Sequence, residues 1–521
     1  MHVNHPLIKE YTVEEREYQT SLARICGKES TLVVIPTGMG KTIVALRVVA
    51  DSLHKGASKA LILAPTRPLV EQHRDVLQDK MPTVRVASMT GETAPEKRVT
   101  VWEGNTVIVS TPQVIANDLD KGRYELNDVG ILVYDEAHRG VGSYSYVRVA
   151  EHYHHLRRLS MGITASPGSD SKRIMEVCEN LRLFRIEVRT EEDPDVAPYV
   201  HNIEMKTLEL DLPEDLMDII AVLRRLLDKY IDELVQLRFL DDKSVATAKR
   251  LLALGKTLQA RAAHEKGSYT VFRALTVQAI AMKILHAIGL AETQGTTSLS
   301  RFLDRLEDEK GQEKSSRATR ELLANQEYDR LREMLVATKT EHPKVSRVMT
   351  LVSRQLDSKP DSRVLVFTHY RDTCEMVADR LARISTARVG RLIGQAGHDG
   401  LKQKGQADVL RQFREGQVNV LVATSVGEEG LDVANTDMVL FYEPVPSEIR
   451  SIQRRGRTGR FSDGEVHILI AKGTRDEVFQ RSSLNKERKM KRRLEDLDRE
   501  LRSRRQIEES LRSQSSLARF R

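Results

Sequence analysis

The chain has 521 residues, 40% hydrophobic and 30% charged, with a formal net charge of +7, which predicts roughly two to four domains that each bury their own core. It shows no membrane-length apolar run, and residues 1–20 lack the basic start and apolar centre of a signal peptide, so we expect neither a membrane span nor a leader. The cysteines, Cys26, Cys178 and Cys374, are odd in number and far apart, which argues against a disulfide framework or a zinc cluster and favours a reducing cytoplasm.

The positive charge is concentrated at one end of the chain. Residues 481–521 hold 14 Lys/Arg against 7 Asp/Glu, so this segment carries the whole surplus and the preceding residues balance. A basic tail suits a polyanion such as nucleic acid, because each neutralised phosphate releases counterions. On charge alone, a solvated charged helix is an equally good interpretation. With a nucleic-acid partner, the protein would be cytoplasmic and nucleoid-associated.

The first segment that carries a candidate binding site is a Gly-rich turn between a buried strand and a helix. The apolar run 32–35 predicts the strand, and the pattern 43–46 predicts the start of the helix. Backbone N–H groups of such a turn cradle a polyphosphate, while a lysine reaches the β/γ oxygens and a threonine hydroxyl can bind Mg²⁺. Ile35 replaces the first glycine of the strict pattern, so the prediction depends on the strand–turn–helix context. The predicted cradle is Pro36, Thr37, Gly38, Met39, Gly40, Lys41 and Thr42.

Upstream of this turn, Gln19 lies at the start of an amphipathic segment. A side-chain amide can pair with the adenine edge, which makes Gln19 a candidate for base recognition. Taken alone, an ordinary surface glutamine is the simpler interpretation.

Short apolar strands alternate with helical patterns after the turn, as a parallel sheet with crossover helices requires. We predict strands near 60–63, 107–109, 131–134 and 161–163, each followed by a polar segment. Ligands bind beyond the carboxyl ends of such strands, so these segments should share one crevice.

One of these polar segments begins with Asp135 and Glu136. Two carboxylates at the end of an apolar strand need a compensating cation or hydrogen-bond partner. Mg²⁺ held by Asp135 and Thr42 would provide it, and Glu136 could then orient and deprotonate an attacking water. In isolation, a helix N-cap would be the commoner role, but the upstream phosphate cradle favours the catalytic one.

Near residue 201 the sequence pattern changes from alternating strands and helices to helices alone. Asp211 is a candidate N-cap for a helix with leucine and isoleucine at 3–4 spacing, and further helical patterns run over 244–263, 267–291, 297–308 and 317–338. This region predicts an α-helical insertion of about 135 residues. Its scattered Lys and Arg permit a nucleic-acid clamp, although a solvated surface is the default interpretation.

Strands return at 364–367, 418–423, 439–442 and 466–470, without a second phosphate cradle. The segment 453–460 instead packs four arginines into eight residues. Arginine's planar donors suit phosphate, so Arg457 and Arg460 could reach across a cleft to the γ-phosphate in the first domain. As an isolated run, the segment would be no more than a basic patch.

Four motifs together resemble the ordered series of the superfamily 2 helicases: 36–42, 65–67, 135–138 and 164–166. The resemblance implies an α/β fold with two RecA-like parallel-sheet lobes, ATP and Mg²⁺ as cofactors, and a role for Gln453 in catalysis and Asp432 near the ribose. It implies that His138, Thr164 and Ser166 couple the ATP site to movement of the strand. The nucleic-acid contacts that it implies are Thr66, Arg67, Thr90, Gly91, Ser110, Thr111, Thr368 and Thr424.

Within that superfamily, the segments 394–396, 423–432 and 442–454 closely resemble the archaeal Hef helicase and its eukaryotic relative, the Fanconi anaemia M translocase. The resemblance spans roughly residues 1–480 and implies ATP-driven action on branched DNA, such as forks and junctions, with 3′→5′ polarity. The same branch includes the RNA sensors and the Dicer helicase, so an ATPase activated by double-stranded RNA is the nearest alternative. A third hypothesis is a scaffold that binds ATP as a switch.

The resemblance divides the chain into a first lobe (1–200), an α-helical, thumb-like insertion (201–338), a second lobe (339–480) and a basic helical tail (481–521). Residues 487–489 resemble a nuclease signature, but Arg493 replaces its final aspartate, so we expect no nuclease activity. Leucines form a sparse apolar seam along the tail: Leu494, Leu497, Leu501 and Leu511.

The last residues fit Gln-x-x-Leu-x-x-aromatic, a pattern that resembles peptides docking on the PCNA sliding clamp. Leu517 and Phe520 would share one side of a helical turn and enter an apolar pocket, while Gln514 would anchor the peptide by hydrogen bonds. A frayed terminus is the alternative.

Overall fold

The computed structural model describes residues 1–518 apart from 169, 200–202, 243–246, 266, 311–315, 339, 394–402, 425–435 and 445–463. For 203, 310, 403–404, 407, 487–488, 491 and 504–518 it describes the backbone alone.

The elements of the described chain alternate between strand and helix at both ends and are helical in the middle. The strands are β1 (Thr31–Val34), β2 (Lys59–Leu63), β3 (Val86–Met89), β4 (Val107–Ser110), β5 (Val129–Asp135), β6 (Leu159–Thr164), β7 (Arg185–Val188), β8 (Ile203–Leu210), β9 (Val364–Phe367), β10 (Val389–Leu392), β11 (Val420–Ala423), β12 (Met438–Phe441) and β13 (Gly464–Ala471). The helices are α1 (Glu17–Cys26), α2 (Lys41–His54), α3 (Arg67–Lys80), α4 (Pro95–Gly104), α5 (Pro112–Asp120), α6 (Ser145–His154), α7 (Ser171–Leu181), α8 (Glu214–Gln236), α9 (Ala248–His264), α10 (Tyr269–Thr293), α11 (Thr296–Lys310), α12 (Arg317–Leu323), α13 (Gln326–Ala337), α14 (Pro343–Ser358), α15 (Arg371–Leu381), α16 (Gln403–Arg414) and α17 (Arg475–Ala518).

The first lobe is built on a seven-stranded parallel sheet in the order β3-β4-β2-β5-β6-β1-β7. Its central strands are continuous apolar runs because helices cover both faces, and two buried clusters fill the space on either side. The strands predicted from the sequence are confirmed. The two edge strands, β3 and β7, were not predicted, because both are short and mix polar with apolar residues.

The second lobe has a six-stranded parallel sheet in the order β10-β11-β9-β12-β13-β8. The four predicted strands are confirmed, whereas β10 and β8 were not predicted. β8 corrects the boundary of the insertion, since residues 203–210 were assigned to it but pair in parallel with β13 of the second sheet. Polar residues interrupt β8, and the adjacent Lys206 and Thr207 break a regular alternation, so neither an apolar run nor a strict two-residue period marks it as a strand in the sequence.

The helical insertion is a bundle formed by α8 to α13 around a single buried cluster. The helix starts differ from the prediction at two places. α8 begins after Pro213, not at an Asp211 cap, and Asp211 instead pairs with Lys472 at 3.2 Å. The single helix predicted over 317–338 is two, because the Asn325 side chain accepts a hydrogen bond from the backbone of Glu327 and starts a new helix.

At the centre of this bundle, α10 packs against α8, α9, α11 and α12. Residues 269–294 are long and apolar enough, by length and composition, to cross a membrane, which corrects our expectation that the sequence holds no such run. More than half of the apolar window is buried inside the protein (56%). We therefore interpret α10 as the core helix of the bundle.

The C-terminal helix α17 runs from the second lobe back to the first. It begins directly after β13, and the seam predicted from the sequence packs into the core of the first lobe through Leu494, Leu497 and Leu501. Asp498 Oδ1 accepts a hydrogen bond of 2.8 Å from the backbone N–H of Ile186 in edge strand β7. The tail is therefore not a free solvated helix up to residue 503, because its apolar face is docked.

Candidate functional site

The predicted phosphate cradle has the backbone that its sequence requires. Gly38 and Gly40 have φ values of 91° and 72°, in the left-handed region, and α2 begins at Lys41. A Cβ at position 40 would lie 2.5 Å from the Gln19 side-chain nitrogen, so a larger residue there would be strained by its positive φ and would displace the Gln19 amide. The backbone N–H groups at the start of α2 are oriented as an anion-binding helix N-terminus requires.

Gln19 lies against this cradle and is not a surface residue, since only 2% of it is exposed. Its Nε2 donates to the Met39 carbonyl at 3.2 Å, and the neighbouring Tyr18 hydroxyl donates to the same oxygen at 2.8 Å. The amide therefore stabilises the turn from α1.

The side chains of Lys41 and Glu136 contact each other beyond the carboxyl ends of β1 and β5. Lys41 Nζ lies 3.3 Å from Glu136 Oε1, and His138 Nδ1 lies 3.4 Å from Glu136 Oε2. Burial by itself would raise the pKa of Glu136, but Lys41 and His138 outweigh it and hold the pKa below its ordinary value. Glu136 has a φ of 49°, an uncommon value for a residue with a side chain and one often found at functional sites.

Asp135 is fixed by two contacts. Its Oδ2 lies 2.9 Å from His73 Nε2, and its Oδ1 accepts the backbone N–H of Glu136 at 3.0 Å. Each carboxylate oxygen keeps a further lone pair for a cation.

The donor set fits Mg²⁺ and a polyphosphate. Thr42 and Asp135 carry hard oxygen atoms of the kind that Mg²⁺ prefers, and the Thr37 hydroxyl is buried without a hydrogen-bond partner in the described structure. No cluster of three or more His, Cys, Asp or Glu that could hold a metal occurs in the part of the chain that the structure describes. Mg²⁺ usually takes one or two protein ligands and completes its shell with phosphate and water, and this site matches that pattern.

The predicted coupling residues form a contiguous chain beside Glu136. His138 Nδ1 lies 3.0 Å from Thr164 Oγ1, and the Thr164 hydroxyl donates to the Ser166 carbonyl at 3.0 Å. The Ser166 hydroxyl in turn donates to Met490 Sδ of α17 at 3.1 Å. The ATP-site carboxylate is thus connected to the helix that comes from the second lobe.

The candidate nucleic-acid residues of the first lobe lie beside the phosphate site, not in it. Thr66 and Arg67 follow β2, and Thr90 and Gly91 follow β3. Ser110 ends β4 and Thr111 follows it, and these three strands are neighbours at one end of the sheet. The residues of the phosphate site follow β5, β6 and β1, which are neighbours at the other end. Strand order therefore places the candidate nucleic-acid residues on one half of this edge, the nucleic-acid half, and the candidate phosphate-site residues on the other, the ATP half.

In the second lobe, Thr368 follows β9 and Thr424 follows β11, two neighbouring strands. Both are buried, and their N–H groups donate to Ala423 O and Leu392 O at 2.9 and 3.0 Å. Several candidates lie outside the residues or side chains that the structure describes: Asp432, Gln453, Arg457, Arg460, Gln514, Leu517 and Phe520.

Three family models match consecutive parts of the chain. They are a DEAD/DEAH box helicase model over residues 16–174, a helical bundle of an ATP-dependent RNA helicase over 215–342, and a helicase conserved C-terminal domain over 343–462. The crystal structure of the Pyrococcus furiosus Hef helicase domain is 40% identical, with a TM-score of 0.71, and the match covers 92% of this chain and 100% of that one. The chain belongs to the Hef-type superfamily 2 helicases.

Curated relatives of this Hef-type helicase are longer proteins. A Methanocaldococcus jannaschii protein named as an ATP-dependent RNA helicase is 36% identical over 501 residues, covering 95% of this chain and 63% of the relative. The ATP-dependent DNA helicase mph1 of Neurospora crassa is 32% identical over 495 residues, covering 90% of this chain and 42% of the relative. The Hef-type chain thus spans less than two thirds of either protein.

Sequence reasoning missed two residues that contact Asp135 of this Hef-type helicase. One is His73, and the other is Tyr146, whose hydroxyl hydrogen-bonds both the Leu63 and the Asp135 carbonyl oxygens. For His73 a signal existed, because it shares the buried face of α3 with Val70 and Leu77 at helical spacing. A histidine on an apolar seam beside a strand-end aspartate is a candidate hydrogen-bond partner.

Proposed function

We propose that this chain is an ATP-dependent DNA helicase or translocase that acts on branched DNA in replication-fork repair, with 3′→5′ polarity. The observation that carries the proposal is the meeting of Lys41, Asp135 and Glu136 at the mouth of a Gly-rich phosphate cradle, beside residues suited to a nucleic-acid backbone. The name of the DNA helicase mph1 supports DNA as the polymer.

In this mechanism, Lys41 exchanges its partner when ATP binds. Without nucleotide it pairs with Glu136, and with nucleotide its ammonium turns to the β/γ-phosphate oxygens. Glu136 is then free to accept a proton from the water that attacks the γ-phosphorus, as the bond to ADP breaks. Mg²⁺ held by Thr42 and Asp135 would neutralise charge on the phosphates.

Hydrolysis would be coupled to movement through the chain of contacts from Glu136 to Ser166. A shift of Glu136 alters its contact with His138, which touches Thr164, and Ser166 contacts Met490 of α17. Because α17 begins in the second lobe, this path joins the ATP site to the relative position of the lobes. Arg457 and Arg460 would complete the γ-phosphate site from the second lobe.

Steady-state phosphate release shows which nucleic acid stimulates ATP hydrolysis. It is measured with single strands, duplexes, forks, four-way junctions and double-stranded RNA at one stated salt concentration. We expect forks and junctions to stimulate release most. Stronger stimulation by double-stranded RNA would favour the RNA-activated ATPase. The M. jannaschii relative is named as an RNA helicase, so the measurement with double-stranded RNA must be included. Nucleotide binding without phosphate release would favour the switched scaffold.

Helix α9 is a candidate second contact for branched DNA. It carries four Lys/Arg and no Asp/Glu, and it packs on α10 through Leu251, Gly255 and Leu258. The four basic residues are all exposed: Lys249, Arg250, Lys256 and Arg261. A helix with only positive charge on its outer face suits a phosphate backbone, so we propose that α9 holds a second arm of the DNA.

Replacing Lys256 and Arg261 with glutamate is expected to weaken fork binding more than single-strand binding. Loss of two phosphate contacts should reduce the slope of log K against log salt for forks by about 2. Fluorescence anisotropy with a forked and a single-stranded oligonucleotide measures both effects. The control has the same charge change at Arg24 and Lys28, which are exposed at the end of α1. An equal loss in the control, or an unchanged slope, would refute a role for α9.

We also propose that the C-terminal residues Gln514, Leu517 and Phe520 bind a PCNA-type sliding clamp. The chain without residues 514–521 is expected to recover much less clamp in a pull-down than the full chain. A Leu517→Ala/Phe520→Ala variant, which keeps the length and charge of the tail, should match the deletion. Equal clamp recovery by all three proteins would remove the proposal.

A further inference from the structure

Helix α3 connects the two halves of the functional edge. Its first residue, Arg67, belongs to the candidate nucleic-acid residues, and its N-cap is Thr66. His73 lies six residues further along, about 9 Å down the helix axis, on the buried face of α3. Only 4% of His73 is exposed.

The His73 ring is directed at one group, the Asp135 carboxylate. The distance from Nε2 to Oδ2 is 2.9 Å, and both side chains are almost fully buried. A carboxylate can only accept, so Nε2 must carry the hydrogen, which fixes the tautomer of a neutral ring. Nδ1 has no hydrogen-bond partner in the part of the chain that the structure describes. The hydrogen-bonding role of His73 in that part is therefore to hold Asp135.

This contact crosses the boundary between the two halves of the sheet. β2, which precedes α3, belongs to the nucleic-acid half, and its neighbour β5, which ends at Asp135, belongs to the ATP half. Tyr146 bridges the same boundary through the carbonyl oxygens of Leu63 and Asp135. Tyr146 fixes the backbone ends of the strands, whereas His73 reaches the carboxylate itself.

We propose that His73 is a positioning residue that orients Asp135 as a magnesium ligand and transmits movement of α3 to it. The inference rests on the proposed function, because it requires Mg²⁺-ATP at Asp135. When a DNA strand engages the N-terminus of α3, a displacement of the helix moves His73 and with it the Oδ2 atom. DNA binding would thereby change the orientation of the metal ligand Asp135, in addition to any closure of the lobes.

Two amide variants separate the hydrogen bond from packing. In His73→Gln the amide nitrogen can reach the position of Nε2, whereas in His73→Asn it is one methylene short. The full-length protein is titrated with MgCl₂ in the presence of a non-hydrolysable fluorescent ATP analogue, and nucleotide binding is the readout. Tyr124→Phe is the matched control, because it removes a 3.1 Å hydrogen bond to another buried aspartate, Asp118.

We expect His73→Asn to raise the Mg²⁺ concentration for half-maximal binding by about 10-fold, the usual effect of losing a group that orients a metal ligand. His73→Gln and Tyr124→Phe should behave as the wild type. His73→Asn should also lose most of the stimulation of ATPase rate by single-stranded DNA while keeping more of the basal rate.

If His73→Asn matches the wild type, or if Asn and Gln impair Mg²⁺ dependence equally, the positioning role is wrong while the proposed function stands. If the wild type itself shows no Mg²⁺-dependent binding of the analogue, the proposed function fails, and the inference fails with it. Thermal unfolding of each variant identifies any loss that comes from misfolding, in which case the better-folded amide is compared with the wild type.

Discussion

Replacing Glu136 with glutamine is expected to lower DNA-stimulated ATP turnover by about 10³-fold while leaving nucleotide binding in place. Glutamine has nearly the same shape but cannot accept the proton of the attacking water. It also cannot form the ion pair with Lys41, which lies 3.3 Å away. The neutral side chain should therefore leave Lys41 available to the phosphates, so that the loss appears in kcat and not in nucleotide affinity.

Two further variants serve as controls for this prediction. Lys41→Ala removes the charge that holds the phosphates, so it should lose nucleotide binding as well as turnover. Glu187→Gln changes a largely buried glutamate on β7 whose ion-pair partners are arginines and not Lys41, and it should keep turnover close to that of the wild type. Steady-state phosphate release and binding of a fluorescent ATP analogue give both quantities. A Glu136→Gln protein that retains most of its turnover would contradict the assignment of the general base.

A buried ion pair within the second lobe lies against the end of the helical insertion. Lys344 Nζ lies 2.5 Å from Asp476 Oδ2, both side chains are at most 1% exposed, and Lys344 also donates to the Thr293 carbonyl at the end of α10. The same ammonium lies 5.3 Å from the centre of the Tyr442 ring. One side chain at the start of α14 thus contacts α10, α17 and the end of β12.

Lys344→Met is expected to lower the free energy of unfolding by about 3–5 kcal/mol, because it leaves the Asp476 carboxylate buried without its cation. Burial raises the pKa of Asp476, and Lys344 offsets part of that effect, so the unpaired acid is costly to keep ionised. Urea unfolding followed by circular dichroism measures the loss.

The double variant Lys344→Met/Asp476→Leu tests the reason for that loss. Removing both charges should recover much of the stability, because an apolar pair of similar volume replaces the ion pair. If the double variant is as unstable as the sum of the single variants, the two side chains do not act as a pair. The cost would then come from the separate contacts to Thr293 and to the backbone of Ala471.

Much of the fold could be predicted because it is encoded locally. β1, β2, β5 and β6 are buried apolar runs, and each precedes a polar segment that the parallel topology brings to the same edge. β8 could not be predicted, because its mixed polar and apolar residues gain a partner strand only when β13, more than 250 residues away, lies beside it. The docking of Leu494 and Leu497 on the first lobe is a long-range contact of the same kind.

The candidate site also has one part that the local sequence predicts and another that only the fold reveals. The phosphate cradle and Asp135-Glu136 have fixed spacings that chemistry demands, so the sequence was sufficient to propose them. The ion pair between Lys41 and Glu136 depends on β5 and β1 lying two strands apart, which strand order alone reveals. His73 lies on a helix that the sequence linked to nucleic acid, and only the fold brings it to Asp135.

The most direct test of the account is phosphate release by the wild type and by Lys41→Ala, with and without saturating forked DNA at fixed salt. The account predicts slow release by the wild type alone, strong stimulation by the fork, and no stimulated release by Lys41→Ala. Fork-stimulated release that survives in Lys41→Ala would place the hydrolytic site elsewhere. A wild type that binds both ATP and the fork but releases no phosphate would contradict a motor altogether.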